Sequence, residues 1–175
     1  MHGAKALSVD PKLTSKMFCQ FEVFDVLRAS VKEVLPPTTF NVVACFREMH
    51  RVMESPESAR NFLSNVSYLL KPQGIFLTLI HDGSAVWSVL QKEVPDGPLP
   101  AGFKPQAKKQ LFSLSLDEPT RPGQFFGVRY NLNVKKEEAS PTNAASLKGG
   151  FLINSHQFIL AAERCGLRMV SMTNA

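Results

Sequence analysis

The side chains best able to do chemistry in this chain fall in two short segments, residues 46–54 with Arg47, Glu48, His50 and Arg51, and residues 81–84 with His81 and Asp82. An imidazole both donates and accepts hydrogen bonds, and a guanidinium can hold a phosphate or stack by its plane. Two acids stand apart from them. Asp10 closes a predicted strand, where in a nucleotide-binding sheet an acid at the end of the second strand hydrogen-bonds ribose hydroxyls, and Glu22 follows the next predicted strand. Asp10 precedes Pro11 and reads equally well as a solvated turn acid, and a lone histidine such as His50 is commonly just a satisfied surface or core residue. No cysteine or histidine spacing fits a metal, and no nucleophile stands beside a base in a catalytic pattern.

Both segments follow predicted strands, which gives them their importance. Phe40-Asn41-Val42-Val43-Ala44-Cys45 is a β-branched, apolar run after the turn residues Pro36-Pro37, and Ile75-Phe76-Leu77-Thr78-Leu79-Ile80 is a second. Between them, Ser55 caps a helix with Pro56 at its first position, and Ala59, Phe62, Leu63, Val66, Leu69 and Leu70 recur at helical spacing up to Lys71-Pro72-Gln73-Gly74. Strand, helix, strand makes a βαβ unit with parallel strands, buried on both faces. Ligands of such open sheets sit at the carboxyl ends of the strands, where both segments lie.

The run "LLKPQGIFL" resembles the LL-K-P-G-G-x-F signature of class I methyltransferases that use S-adenosylmethionine. Phe40 to Cys45, His50-Arg51, Met53-Glu54-Ser55, Arg60 to Ser67 and Leu70 to Gly74 follow, in order, a pattern similar to that of the mRNA cap guanine-N7 methyltransferases. Residues 126–134, "FGVRYNLNV", resemble that family's F-G-x-x-Y-x-F-x-L strand. The resemblance implies an α/β, three-layer, Rossmann-like class I methyltransferase fold, S-adenosylmethionine as cofactor, the capped 5′ end of RNA as partner, and a nuclear setting. By the same resemblance Asp10, Glu22 and Phe46 fall on the cofactor side, and His50, Arg51, Arg47, His81 and Tyr130 on the substrate side.

The departures are specific. Phe46 stands for the family's Gln, Arg51 for its Tyr, and Gly150 for the Glu that holds the guanine N1 and N2 hydrogens. The glycine-rich D-x-G-x-G loop that receives the methionine end of the cofactor would precede Met1, so the fold is expected to be incomplete at its N-terminus. A second protein chain that completes or covers the sheet is therefore expected, and these residues alone are expected to hold the cofactor weakly. Two readings of different class follow: a cap guanine-N7 methyltransferase completed by a partner, or a non-catalytic methyltransferase-like scaffold in an RNA-processing assembly.

The rest of the chain is read as one domain. Lys5 to Asp10 and Met17 to Phe21 are expected as strands, and residues 24–34, with Val26, Leu27, Val31 and Val34, as a short helix. Ala85 to Lys92 is expected as another helix, on which Trp87 packs. Residues 94–148 are an expected insertion, with a basic loop carrying Lys104, Lys108 and Lys109, two antiparallel strands (111–116 and 124–134), and a mobile polar loop over 135–148. Ser155 is the expected cap of a helix closed by Gly166, before a strand Leu167-Arg168-Met169-Val170. The 175 residues, 44% hydrophobic, suffice for one core. A net charge of +5 favours an anionic partner such as RNA, although many soluble domains are as basic. Cys19, Cys45 and Cys165 read as reduced core thiols of a reducing compartment, and no apolar run is long enough to cross a membrane.

Overall fold

The computed structural model describes residues 20–46, 48–91, 112–121, 123–134 and 146–172. Its centre is the expected βαβ unit, with β1 (Phe40–Cys45) and β2 (Leu70–Thr78) joined by α1 (Pro56–Leu69). The strands run parallel, pairing Val42 with Ile75, Val43 with Phe76, Ala44 with Leu77 and Cys45 with Thr78. The Ser55 hydroxyl accepts from the Ser58 amide at 3.1 Å, and Pro56 takes a position whose N–H needs no partner. Ala59, Phe62, Leu63 and Val66 then line one side of α1 and are buried. They pack with Leu27, Met49, Val52, Met53, Ile153 and Phe158 into the main core, where the Phe62 and Phe76 rings meet edge to face at 6.0 Å.

The turn expected after α1 is a bulge inside β2. Between the pairs Phe40–Leu70 and Val42–Ile75 the register shifts, which accommodates Lys71 to Gly74 with Gln73 at φ 64°. Gly74 permits this because a Cβ there would lie 2.9 Å from the Lys71 carbonyl oxygen and 3.2 Å from that of Asn41.

A second, antiparallel sheet has the order β3 (Phe112–Leu116), β4 (Arg129–Val134), β5 (Ser146–Phe151). Its first strand matches expectation, while the second, expected over 124–134, starts only at Arg129. The third corrects the end of the loop expected over 135–148, because Ser146 and Leu147 pair with Asn133 and Leu132 of β4, and the strand runs on through Gly150, opposite Tyr130, to Phe151. This sheet is tied to the core through Gly127 N–H to the Met53 carbonyl at 2.9 Å and Leu152 N–H to the Val128 carbonyl at 2.8 Å. Two helices complete the description, α2 (Gly83–Gln91) and α3 (Ser155–Arg164). Trp87 of α2 packs, as expected, with Val86 and Leu152 against buried Leu116, Val128 and Tyr130.

Three local expectations are corrected. Residues 24–34 form a turn and one 3-10 helix, Val31–Glu33, instead of an α-helix, because Asp25 and Ser30 bind the amides of Leu27 and Lys32. The cap of α3 is Asn154, whose Oδ1 accepts from the Gln157 amide at 3.0 Å; Ser155 is the first helical residue. Residues 167–170 are not a strand, having no partner among the described residues, and neither are Gln20 and Phe21. Gly166 does close α3, with φ 79° and the bonds Gly166 N–H to Glu163 and Leu167 N–H to Ala162, a Schellman motif. The expected strand ending at Asp10, Met17 to Cys19, Arg47, Lys92, the lysines 104, 108 and 109, and residues 135–145 lie outside the described residues.

The α/β class is thus realised with α1 and α3 packed together on the inner face of the parallel pair. Val43, Cys45 and Phe76 point into that core. On the opposite face Val42, Ile75 and Leu77 are each about half exposed, and so is Leu79 just beyond β2, although a parallel sheet is ordinarily covered on both sides.

Candidate functional site

Two groups of side chains gather beyond the carboxyl ends of β1 and β2. The first forms a cleft of about 260 Å³ lined by Phe24, Asp25, Val26, Leu27, Cys45, Glu48, Arg51, Val52 and Phe62. Its floor is apolar and its rim carries two carboxylates and a guanidinium. Small-molecule sites usually run from about 300 to 1,000 Å³, so this cleft is smaller than an ordinary ligand pocket.

The wall made by residues 24–31 is held by α1. The buried Asn65 accepts from the Val31 amide at 2.9 Å and donates to the Val26 and Ala29 carbonyls at 3.1 and 2.9 Å. Asn61, one turn earlier, donates to the Leu27 carbonyl at 3.2 Å. These bonds replace the ones a helix would have made, which is why the segment stays ordered without being helical. Arg28 ties the same wall to the Met49–Glu54 3-10 helix, contacting Asp25 at 2.9 Å and Glu54 at 3.6 Å. The Arg28 hydrogen bond, then the Leu27 amide, hold the Asp25 carboxyl below its usual range. Burial pushes the Cys45 thiol up, so it stays protonated in the cleft.

The second group lies where β2 meets the antiparallel sheet. His81 Nδ1 is hydrogen-bonded to the hydroxyl of Tyr130. Tyr130 is 3% exposed, and burial pushes its phenol up to about 12. His81 itself is exposed on its outer side. Its pKa is lowered, by burial of the inner side first and then by the charge of His50 nearby. His50 lies flat against β5: a Cβ built on Gly150 would fall 2.5 to 2.7 Å from the His50 Cβ, Cδ2 and Cγ. Gly83, at the start of α2, leaves even less room, with a Cβ only 1.9 Å from the Ile153 carbonyl oxygen. Asp82 caps that helix, accepting from the Ser84 and Ala85 amides.

The structure therefore separates residues that the sequence places side by side. His50 joins His81 and Tyr130, while its neighbour Arg51 turns into the cleft. Glu22 does not line the cleft; it is exposed and accepts from the Gln20 side chain at 2.8 Å, and the acid on the cleft wall is Asp25, three residues on. Phe46 is half exposed just past β1 and is not among the lining residues. Asp10 and Arg47 lie outside the described residues. Sequence reasoning missed Asp25, Asn61 and Asn65. Asn65, an amide among the apolar residues on the inward side of the helix, was the available signal, since a buried amide needs partners. Among the described residues no group of three or more His, Cys, Asp or Glu is placed to hold a metal ion, and no helix is long and apolar enough to cross a membrane.

The cleft combines apolar lining from Phe24, Val26, Leu27, Val52 and Phe62 with Asp25 and Glu48 as hydrogen-bond acceptors. The described residues contain no glycine-rich strand-to-helix turn.

Comparison with known proteins bears on this arrangement. The mRNA (guanine-N(7))-methyltransferase domain matches residues 9–140. Similar proteins include "mRNA cap guanine-N(7) methyltransferase 2" of Arabidopsis thaliana, 30% identical over 139 residues, covering 75% of this chain and 37% of that protein. Its namesake from Oryza sativa subsp. japonica is 29% identical over 139 residues, covering 77% of this chain and 38% of that protein. The chain thus spans under two-fifths of the length of these curated relatives. Among solved structures, an S-adenosylmethionine-dependent methyltransferase from Clostridium acetobutylicum ATCC 824 aligns with a TM-score of 0.44 and 10% identity, over 82% of this chain and 52% of that one.

Proposed function

The chain belongs to the mRNA (guanine-N(7))-methyltransferase family, and from that premise we propose that it forms the substrate-facing part of a cap guanine-N7 methyltransferase. S-adenosylmethionine supplies the methyl group, and the acceptor is N7 of the guanine on a capped RNA. The observation that carries this reading is the meeting of two unlike sites at the carboxyl ends of one parallel pair, a small cleft with acidic rim residues and a histidine pair beside it. Asp25 and Glu48 would hold the adenosine end of the cofactor, and His50 and His81 would face the acceptor base. Methyl transfer of this kind depends mostly on holding donor and nucleophile in line, and guanine N7 carries no proton to remove, so the chain needs no general base. Arg51 at the cleft and the overall charge of +5 supply attraction for RNA phosphates. The family setting favours the nucleus.

The outer face of the parallel pair supports a further part of the proposal. Val42, Ile75, Leu77 and Leu79 are 47 to 57% exposed. Burying the rest of four such side chains contributes on the order of 3 to 6 kcal/mol. We assign this face to a helix-bearing protein segment outside these 175 residues, which would also provide the remaining cofactor contacts. That the relatives extend well beyond the matched span is in keeping with such a segment.

Transfer of labelled methyl from S-adenosylmethionine to capped RNA tests the proposal, with the chain alone and with co-purifying protein that carries a D-x-G-x-G turn. The expected result is label on guanine N7 only with the second component. One observation favours the non-catalytic scaffold reading: His50 fills the space beside Gly150, so no acid at that position could face a guanine edge while His50 stays in place. Absence of transfer with every co-purifying protein would favour the scaffold.

A further inference from the structure

We infer that Tyr130 is a positioning residue that locks His81 as a single outward hydrogen-bond donor, and that this donor reads the O6 carbonyl of a guanine base. The inference rests on the substrate class proposed above.

The Tyr130 hydroxyl is enclosed, and its hydrogen-bond partner is His81 Nδ1. A buried O–H must find an acceptor, and leaving its proton unpaired costs more than the bond is worth. Were Nδ1 to carry the hydrogen, the phenol would accept that bond and its own proton would be stranded. The satisfied arrangement has the phenol donating to an unprotonated Nδ1. The single imidazole hydrogen then sits on Nε2, since the bond made by one ring nitrogen sets the state of the other. Protonating His81 is resisted first by burial of the ring and then by the charge of His50 from the 3-10 helix. With Nδ1 turned to the enclosed phenol and the residue exposed as a whole, Nε2 is the ring nitrogen left to meet a ligand.

A fixed N–H with no acceptor capacity discriminates. Guanine offers O6 and N7 acceptors on one edge, whereas adenine sets an amino donor beside its N7, which would oppose the His81 donor. A phosphate oxygen satisfies the same donor without regard to base, so the base and phosphate sources are separable by ligand.

The chain's single tryptophan, Trp87, packs against the cluster containing Tyr130 and so reports on this corner by fluorescence. GTP, ATP and pyrophosphate are titrated into the full chain, and nitrogen-15 shifts of His81 give its tautomer. The expected result is an Nε2–H tautomer, a response to GTP stronger than to ATP, and a roughly tenfold loss of GTP affinity in His81→Phe. Tyr130→Phe keeps the ring but not the hydroxyl, and is expected to show a mixture of tautomers with part of the GTP preference lost. A wild-type Nδ1–H tautomer overturns the inference whatever binds. Equal loss for GTP, ATP and pyrophosphate in His81→Phe overturns the base-reading role in favour of phosphate. Unchanged GTP binding in His81→Phe overturns His81 as a contact and leaves the proposed function standing, whereas a wild-type chain indifferent to GTP overturns both.

Discussion

At the residue scale, the two close glycine contacts make opposite demands on their neighbours. Gly83→Ala drives a methyl into the backbone carbonyl of Ile153, whereas Gly150→Ala meets His50 at its Cβ as well as its ring, so the ring can swing but the Cβ yields only if the Met49–Glu54 segment shifts with it. We expect Gly83→Ala to cost about 3 kcal/mol or more and Gly150→Ala about 1 to 2, read from denaturant midpoints. Equal costs would mean that His50 is held as rigidly as backbone. The histidines also set an acid limit. Because burial and His50 lower the pKa of His81 below its usual 6.5, the unfolded chain binds a proton that the folded chain resists. Stability is therefore whole above the ordinary imidazole value and falls as pH drops through it, and His81→Asn should flatten that part of the pH profile. On the alkaline side the Tyr130 phenol, pushed up to about 12 from 10, makes the folded state lose stability as pH climbs between those values. A profile of melting temperature against pH checks both arms. Of these residues, the sequence made His50, His81 and Tyr130 legible through their places after strands and in a family-like strand. It could not show that His50 and Arg51, adjacent in the chain, face different sites, because a 3-10 turn separates neighbours by roughly 120°.

Elements decide which of those residues can act. β1 and the start of α1 were readable to the residue from the apolar run and Ser55-Pro56, whereas β2 starts at Leu70, well before the run at Ile75 that marked it. What failed were segments whose backbone bonds go to side chains far along the chain. Residues 24–34 have helical apolar spacing, yet Asn65, 34 or more positions away, takes up their backbone groups. Periodicity carries no trace of such a partner. β5 failed for a related reason, being a strand by pairing with β4 and not by composition. Asn65→Ala should cost about 2 to 4 kcal/mol, because three backbone groups lose their partner, and Ser55→Ala about 1. Amide hydrogen exchange distinguishes the two: Asn65→Ala should speed exchange at Val31, and Ser55→Ala at Ser58. If Asn65→Ala left Val31 protected, the cleft wall would be held by something other than α1.

At the scale of the molecule, the inner face of the parallel pair is packed and the outer face is not. Continuous apolar strands predict cover on both faces, and among the described residues only the inward-pointing set is packed under helices. Paired charges at Val42 and Leu77, as Val42→Lys with Leu77→Glu, should leave the isolated chain's melting temperature within a few degrees, since both sites are half exposed. The same substitutions should abolish association with the covering protein. The central claim is that base recognition resides in these residues while the cofactor is only half provided for. Nuclear magnetic resonance of the isotopically labelled chain, titrated separately with the unmethylated cap dinucleotide GpppA and with S-adenosylmethionine, tests it most directly because it detects millimolar binding. The account predicts GpppA shifts centred on His50, His81, Tyr130 and Gly150, and weak S-adenosylmethionine shifts confined to Asp25, Glu48 and Val52. Micromolar saturation by S-adenosylmethionine, or GpppA shifts that miss the histidine pair, would contradict it.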